Sequence, residues 1–233
     1  MVITPELLRS FPVLKSLPEA TLLQLAQRST LKKLSRRAIV LNAGVREDCL
    51  CFLFEGRLQG VDFTVDGREV GLYFVEPGDF CGELGLFDDG PQPEYVIALT
   101  TSAVVTVPVD LMRKVMFSSP KVTSRLGTRL AARVRQLTFQ RSLLGLPNIA
   151  QRVCCQLWAL VPPADRDRNI PSRLLNPPTH MEIAIMLNVS RETVTRVFQA
   201  LQGRQVVKRE GPGCLLVNNL ALLKDLAEGK AEL

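Results

Sequence analysis

The stretch Thr179–Leu201, THMEIAIMLNVSRETVTRVFQAL, decides the fold of the C-terminal part of this chain, because it reads as two short capped helices around a tight turn. Pro177 and Pro178 cannot continue a helix. Thr179 followed by Glu182 forms a capping box, in which each side chain answers one of the other's orphan backbone donors, so a helix is predicted to start at Thr179. Ile183, Ala184 and Leu187 recur at helical spacing, and Asn188 can end the helix because its short amide tolerates a left-handed backbone. Ser190 then caps a second helix with one apolar stripe, Val194, Val197, Phe198 and Leu201. Arg191, Glu192, Thr193 and Arg196 project from the other side near its start. The plain alternative for these charges is a solvated face with an i,i+4 pair between Glu192 and Arg196. The sharper reading is a helix that suits the major groove of DNA, where Arg can bond guanine bidentately and Glu can accept from the cytosine amino group.

The sequence beyond supports the sharper reading. Gly203 closes the second helix, and Gln205–Arg209 and Cys214–Val217 read as two strands joined by Glu210, Gly211, Pro212 and Gly213, which makes a wing. VSRETVTR at Val189–Arg196 resembles the recognition helix of the CRP/FNR family of bacterial transcription regulators. The resemblance implies that Arg191, Glu192 and Arg196 read a GTGA-type half-site and that Ser190, Thr193 and His180 touch phosphates. His180 replaces the basic Arg more usual at its position. Thr179 and Lys208 complete the expected set of DNA-binding residues.

Composition allows an ordinary globular protein with room for two domains, 233 residues with 46% hydrophobic and 22% charged. The formal charge of +6 conceals an asymmetry: residues 1–120 hold 12 Lys/Arg against 15 Asp/Glu, net −3, and residues 121–233 hold 17 against 8, net +9. Clustered positive charge is the footprint of a polyanion partner, and it lies in the half that carries the motif. No apolar run reaches about eighteen residues, and the N-terminus MVITPELLRSFPVLKSL has an early Glu6 and no signal-peptide core, so the expectation is a cytoplasmic protein without membrane insertion. Cys49, Cys51, Cys81, Cys154, Cys155 and Cys214 sit mostly in apolar stretches and read as small hydrophobes rather than as metal ligands. With the only histidine, His180, inside the motif, haem is disfavoured, and no Walker loop, triad or zinc signature points to an enzyme.

Upstream, residues 4–28 carry two helix-like stripes. From Leu31 to Val109 the pattern changes to short β-type runs punctuated by glycines, at the spacing of an antiparallel roll or barrel, with Asp66-Gly67 as a hairpin signal. EPGDFCGELGLFDDG at Glu76–Gly90 resembles the phosphate-binding cassette of the family's cyclic-nucleotide roll. After Pro120 a long helical segment runs to about Gly145. There Leu130, Val134, Leu137 and Leu144 follow a coiled-coil seam, so two copies would pair, unless this is a single surface helix packing on its own roll. A helix at 148–160 leads into the Pro-rich connector 161–178. The expected fold class is therefore α+β: a β-roll with N-terminal helices at 1–119, a dimerisation helix and hinge at 120–146, and a winged helix-turn-helix at 147–233. The resemblance covers about Phe11 to Val217. It implies a homodimer, double-stranded DNA and RNA polymerase as partners, and reorientation about a hinge near Gly145–Asn148.

The effector site departs from the family's pattern. In members that bind cyclic AMP, the matches to Gly82, Glu83 and Leu84 contact ribose and phosphate, and an Arg-Ser pair about ten residues later grips the phosphate. This chain has Pro93-Glu94 there. Proline lacks the amide donor, and a carboxylate a few ångströms away would repel the phosphate by several kcal/mol at an effective dielectric of ~20. The family's adenine-bonding Thr-Ser pair corresponds to Leu137-Thr138, so one hydroxyl is missing. Cyclic AMP in its usual pose is thus not expected. The readings left are a different nucleotide effector, cyclic di-GMP rather than cyclic AMP, bound by arginines such as Arg125, Arg129 or Arg133; the same arginines as solvated or seam-flanking charges; and a roll that serves only as a scaffold. Glu83 would contact either a ligand or a neighbouring backbone amide. The competing function class is a ligand-binding regulatory module without a transcriptional role.

Overall fold

The computed structural model describes residues 2–211 and 213–233; Met1 and Pro212, the latter in the expected wing turn, lie outside them. The chain forms two compact units that part between Leu137 and Thr138.

In the first unit, α1 (Pro5–Arg9) and α2 (Glu19–Arg28) precede β1 (Thr30–Leu34), β2 (Ile39–Leu41), β3 (Cys49–Glu55), β4 (Leu58–Phe63), β5 (Glu69–Val75) and β6 (Phe80–Cys81). A single 3-10 turn at Leu84–Leu86 leads to β7 (Tyr95–Ala98), β8 (Ser102–Pro108) and α3 (Val109–Ser118), after which α4 (Pro120–Leu144) begins. Two antiparallel sheets, ordered β1-β8-β3-β6 and β2-β7-β4-β5, make the expected roll. The Asp66-Gly67 signal does turn the β4–β5 hairpin, with Gly67 at φ +77° and its amide donating to the Thr64 carbonyl at 2.8 Å. One core, in which Phe52 packs between Phe11 (centroids 5.0 Å apart) and Phe80 (5.7 Å), joins α1 and α2 to the first sheet and to α3. A second core fills the roll between the sheets, with Leu53, Leu58, Tyr73, Val75 and Val96.

In the second unit, α5 (Ile149–Leu160) follows the end of α4 and is capped by the Asn148 side chain. Next come α6 (Pro163–Arg168), β9 (Ser172–Leu175), α7 (His180–Leu187), α8 (Arg191–Gly203), β10 (Val207–Arg209), β11 (Cys214–Val217) and α9 (Leu220–Ala227). The sheet order β10-β11-β9 adds a strand to the expected two-stranded wing, drawn from the segment read as a Pro-rich connector. The first wing strand is shorter than expected, because Gln205 adopts φ +56° and cannot extend the ladder. A core of Val153, Leu157, Ile183, Val194, Phe198, Leu201, Leu215 and Leu223 ties α5, α7, α8, β11 and α9 together. Among the described residues, no helix is long and apolar enough to cross a membrane.

Candidate nucleic-acid interface and roll pocket

The capping box is present in full. Thr179 Oγ1 accepts from the Glu182 amide at 3.2 Å, and the Glu182 carboxylate accepts from the Thr179 amide at 2.7 Å. Thr179 is therefore the cap, and the helix proper starts one residue later, at His180. Asn188 ends α7 in the left-handed region, φ 50° and ψ 51°, and the Val189 amide bonds back to the Ala184 carbonyl at 3.0 Å. Ser190 Oγ accepts from the Thr193 amide at 3.2 Å and lies 2.9 Å from its hydroxyl, so α8 starts where its sequence predicts.

This geometry buries Val194, Val197, Phe198 and Leu201 and leaves Arg191, Glu192 and Arg196 exposed on the first two turns of α8. Exposed guanidinium and carboxylate groups at a helix start, on a helix anchored by its other face, are free of packing duties and can meet base edges. Ser190 and Thr179 are also exposed, Thr193 is half-buried, and Lys208 is exposed on β10. His180 is held more firmly. Its ring lies 4.3 Å from that of Phe198, and Nδ1 lies 3.0 Å from Thr195 Oγ1, whose own hydroxyl donates to the Arg191 carbonyl at 2.9 Å. The Thr195 proton is thus committed, so Nδ1–H donates to Thr195 and Nε2 keeps its lone pair. Partial burial, with the positive charges of Arg209 and Arg191, holds the His180 pKa below the usual histidine value.

In the roll, Gly82 takes φ +87°, as the cassette turn requires, and Leu84 opens the 3-10 turn, half-buried. Glu83 is 1% exposed, and Arg133 from α4 brings Nε to 3.2 Å from its carboxylate. The Arg133 Nη1 lies 3.7 Å from the buried Glu94, whose carboxylate also accepts a hydrogen bond from the Tyr73 hydroxyl. The guanidinium sits 3.4 Å from the Tyr73 ring centroid. Burial, reinforced by Glu94, keeps Tyr73 protonated and donating. Burial also raises the Glu83 pKa against the pull of Arg133. Arg133 is therefore not a solvated helix charge, and Glu83 faces a side chain rather than only a neighbouring amide. One turn away Arg129 pairs with Asp79, and a further turn away Arg125 donates to the Pro12 carbonyl. Glu94, next to Pro93, presents its carboxylate to Arg133 and Tyr73, so this pair of residues offers no side-chain donor to a phosphate. Thr138 is exposed on α4.

Cys51, Cys81 and Cys154 are buried, whereas Cys49, Cys155 and Cys214 are half-buried and Cys155 Sγ donates to the Ala227 carbonyl at 3.1 Å. Cys49 and Cys51 lie with sulfurs 4.0 Å apart, a contact that pushes the Cys49 thiol up, and burial pushes Cys154 up to about 12. Among the described residues no group of three or more His, Cys, Asp or Glu side chains is placed to hold a metal ion.

Two family models match the chain: a cyclic nucleotide-binding domain over residues 31–119 and a Crp-like helix-turn-helix domain over residues 151–226. The cAMP-activated global transcriptional regulator CRP of Pasteurella multocida is 25% identical over 186 residues, 77% of this chain and 86% of that protein. The structure of FixK2 from Bradyrhizobium japonicum superposes with a TM-score of 0.70 at 20% identity, over 85% of this chain and 96% of that one. That of CLP, a c-di-GMP responsive global regulator of Xanthomonas campestris, does so at 0.64 and 20% identity, over 87% and 99%. With a nucleotide-binding-type roll and a Crp-like helix-turn-helix matched in order along one sequence, and CRP regulators among its relatives, this chain belongs to the CRP/FNR family of DNA-binding transcription regulators.

Proposed function

We propose that the protein acts in the cytoplasm as a homodimer that binds a palindromic site with GTGA-like half-sites and works with RNA polymerase. Arg191, Glu192 and Arg196 read base edges, while Thr179, His180, Ser190, Thr193 and Lys208 hold phosphates. The observation that carries this reading is the joint exposure of Arg191, Glu192 and Arg196 on the first turns of a helix whose opposite face is core. Two-fold symmetry in the protein calls for two half-sites about 34 Å apart. Fluorescence titration of labelled duplexes tests it: a palindrome with two GTGA-like half-sites is expected to bind far more tightly than its scrambled counterpart at the same salt, and equal binding overturns the reading.

The roll gates this activity through an effector other than cyclic AMP in its usual pose. Cyclic di-GMP is the leading candidate, because its two phosphates match two guanidinium groups one helical turn apart, Arg125 and Arg129. The responsiveness of CLP to c-di-GMP, in a similar fold, agrees with that choice. These two arginines hold the Pro12 carbonyl and Asp79, so the dinucleotide has to exchange with those partners, and Arg133 is withdrawn into the roll. Calorimetry against cyclic AMP, cyclic GMP and cyclic di-GMP is expected to show heat only with the last. Tight cyclic AMP binding would show the reading of Pro93 and Glu94 to be mistaken.

A further inference from the structure

We propose that the pocket of this roll has been rebuilt as a cation site, made to take a guanidinium, and that the chain fills it with its own Arg133. Three walls fit that chemistry. Glu83 and Glu94, both buried, approach the guanidinium from two sides at 3.2 and 3.7 Å. The third wall is the Tyr73 ring, whose face lies 3.4 Å from the guanidinium carbon. A ring face and two carboxylates form the usual surroundings of an organic cation, and they exclude a phosphate. The cage is made in this shape by particular residues. Gly60 on β4 leaves room for the ring, since a Cβ there would fall 2.4 Å from Tyr73 Cζ. The Tyr73 hydroxyl donates to Glu94 and so fixes that carboxylate beside Arg133. Two carboxyl groups flank one guanidinium, so the cage attracts a positive charge, and emptying it leaves two buried acidic groups without their counter-charge.

The occupant also matters for the helix that supplies it. Arg125, Arg129 and Arg133 stand four residues apart on α4 and engage Pro12, Asp79 and the Glu83–Glu94 pair in turn. The first part of α4 is thus fastened at three successive turns, once to the N-terminal helical segment and twice to the roll, and the deepest fastening is the caged guanidinium.

The test is chemical rescue. Arg133→Ala leaves the cage open, and n-propylguanidinium supplies the missing head group. The only two tyrosines, Tyr73 and Tyr95, lie in the roll and the only tryptophan, Trp158, lies in the other unit, so tyrosine absorbance follows roll melting separately. The roll transition of Arg133→Ala is expected to fall by on the order of 10 °C. Millimolar n-propylguanidinium should recover at least half of that loss, while neutral N-propylurea, tetramethylammonium at equal ionic strength and cyclic AMP recover none, and the wild type stays unchanged. Rescue by propylurea, or a variant that melts like the wild type, overturns the proposal. If Arg133→Ala does not fold, two variants that keep the volume decide. Arg133→Lys is expected to melt above Arg133→Met, and the reverse order means that charge at this position is not what the cage holds. The DNA reading is untouched by either result, because its titration uses the other unit's residues.

Discussion

Arg191 and Lys208 contribute to binding in different ways, and substitution separates them. Both are exposed, so Arg191→Ala and Lys208→Ala should each change stability by no more than about 0.5 kcal/mol. Arg191→Ala is expected to cost roughly 1–3 kcal/mol at its cognate base pair and to relax discrimination there, whereas Lys208→Ala weakens all duplexes about equally. Titrations against a set of single-base operator variants distinguish the two patterns. His180 gives a second test that needs no mutation, since it is the only imidazole in the chain. Its folded pKa lies below 6.5, so the neutral form favours the folded state. The contribution is present above 6.5 and is lost as pH falls through the folded value. The single C2–H resonance should titrate with a midpoint below 6.5 in the free protein and higher once phosphates face Nε2. A free-protein midpoint at or above 6.5 contradicts the partly buried, Thr195-bonded ring. The exposed placement of Arg191, Glu192 and Arg196 at the start of α8 was legible because it depends only on local spacing. That of Arg133 was not. An arginine at helical spacing reads as a surface charge until the fold brings the β6 turn and Pro93-Glu94 to it.

Local signals also explain which elements could be read from the chain. The capping box at Thr179, Asn188 in the left-handed region and the Ser190 cap each act within four residues, and α7 and α8 formed as expected. Thr179→Ala should cost about 1 kcal/mol, read as a lowered midpoint of the tryptophan-reported transition in denaturant; no change would mean that the box contributes nothing. α3 went unread because it starts after Pro108 with no side-chain cap. α6 has a Pro start and a left-handed Asn169 end, but it buries no residue and so shows no apolar stripe. β9 was lost for a related reason. Ser172 occupies an inward position, satisfied by the Asp165 carboxylate at 2.6 Å, and a polar residue there breaks the alternation by which a half-buried strand is recognised.

The charge asymmetry and the seam on α4 belong to the whole molecule. With net +9 in residues 121–233, the affinity for DNA should fall steeply with salt, with a logarithmic slope of several units, and a slope near zero would refute phosphate contact as its main source. Val134, Leu137 and Leu144 are exposed on α4, 63%, 42% and 40%, while Leu130 is half-buried. Exposed aliphatics at this spacing suit a second copy of the helix. Leu137→Glu combined with Leu144→Glu should convert dimers to monomers in sedimentation equilibrium and cut operator affinity by an order of magnitude or more, leaving each unit folded. An unchanged dimer would place the pairing surface elsewhere. The same helix carries Arg133 one residue before Val134. In a dimer joined along that seam, self-association and occupancy of the cage would draw on neighbouring positions of one helix, and any coupling between them acts on both by an equal factor. Where that coupling is favourable, dilution would loosen the grip on the guanidinium, and the cellular amount of the regulator would reach its own roll.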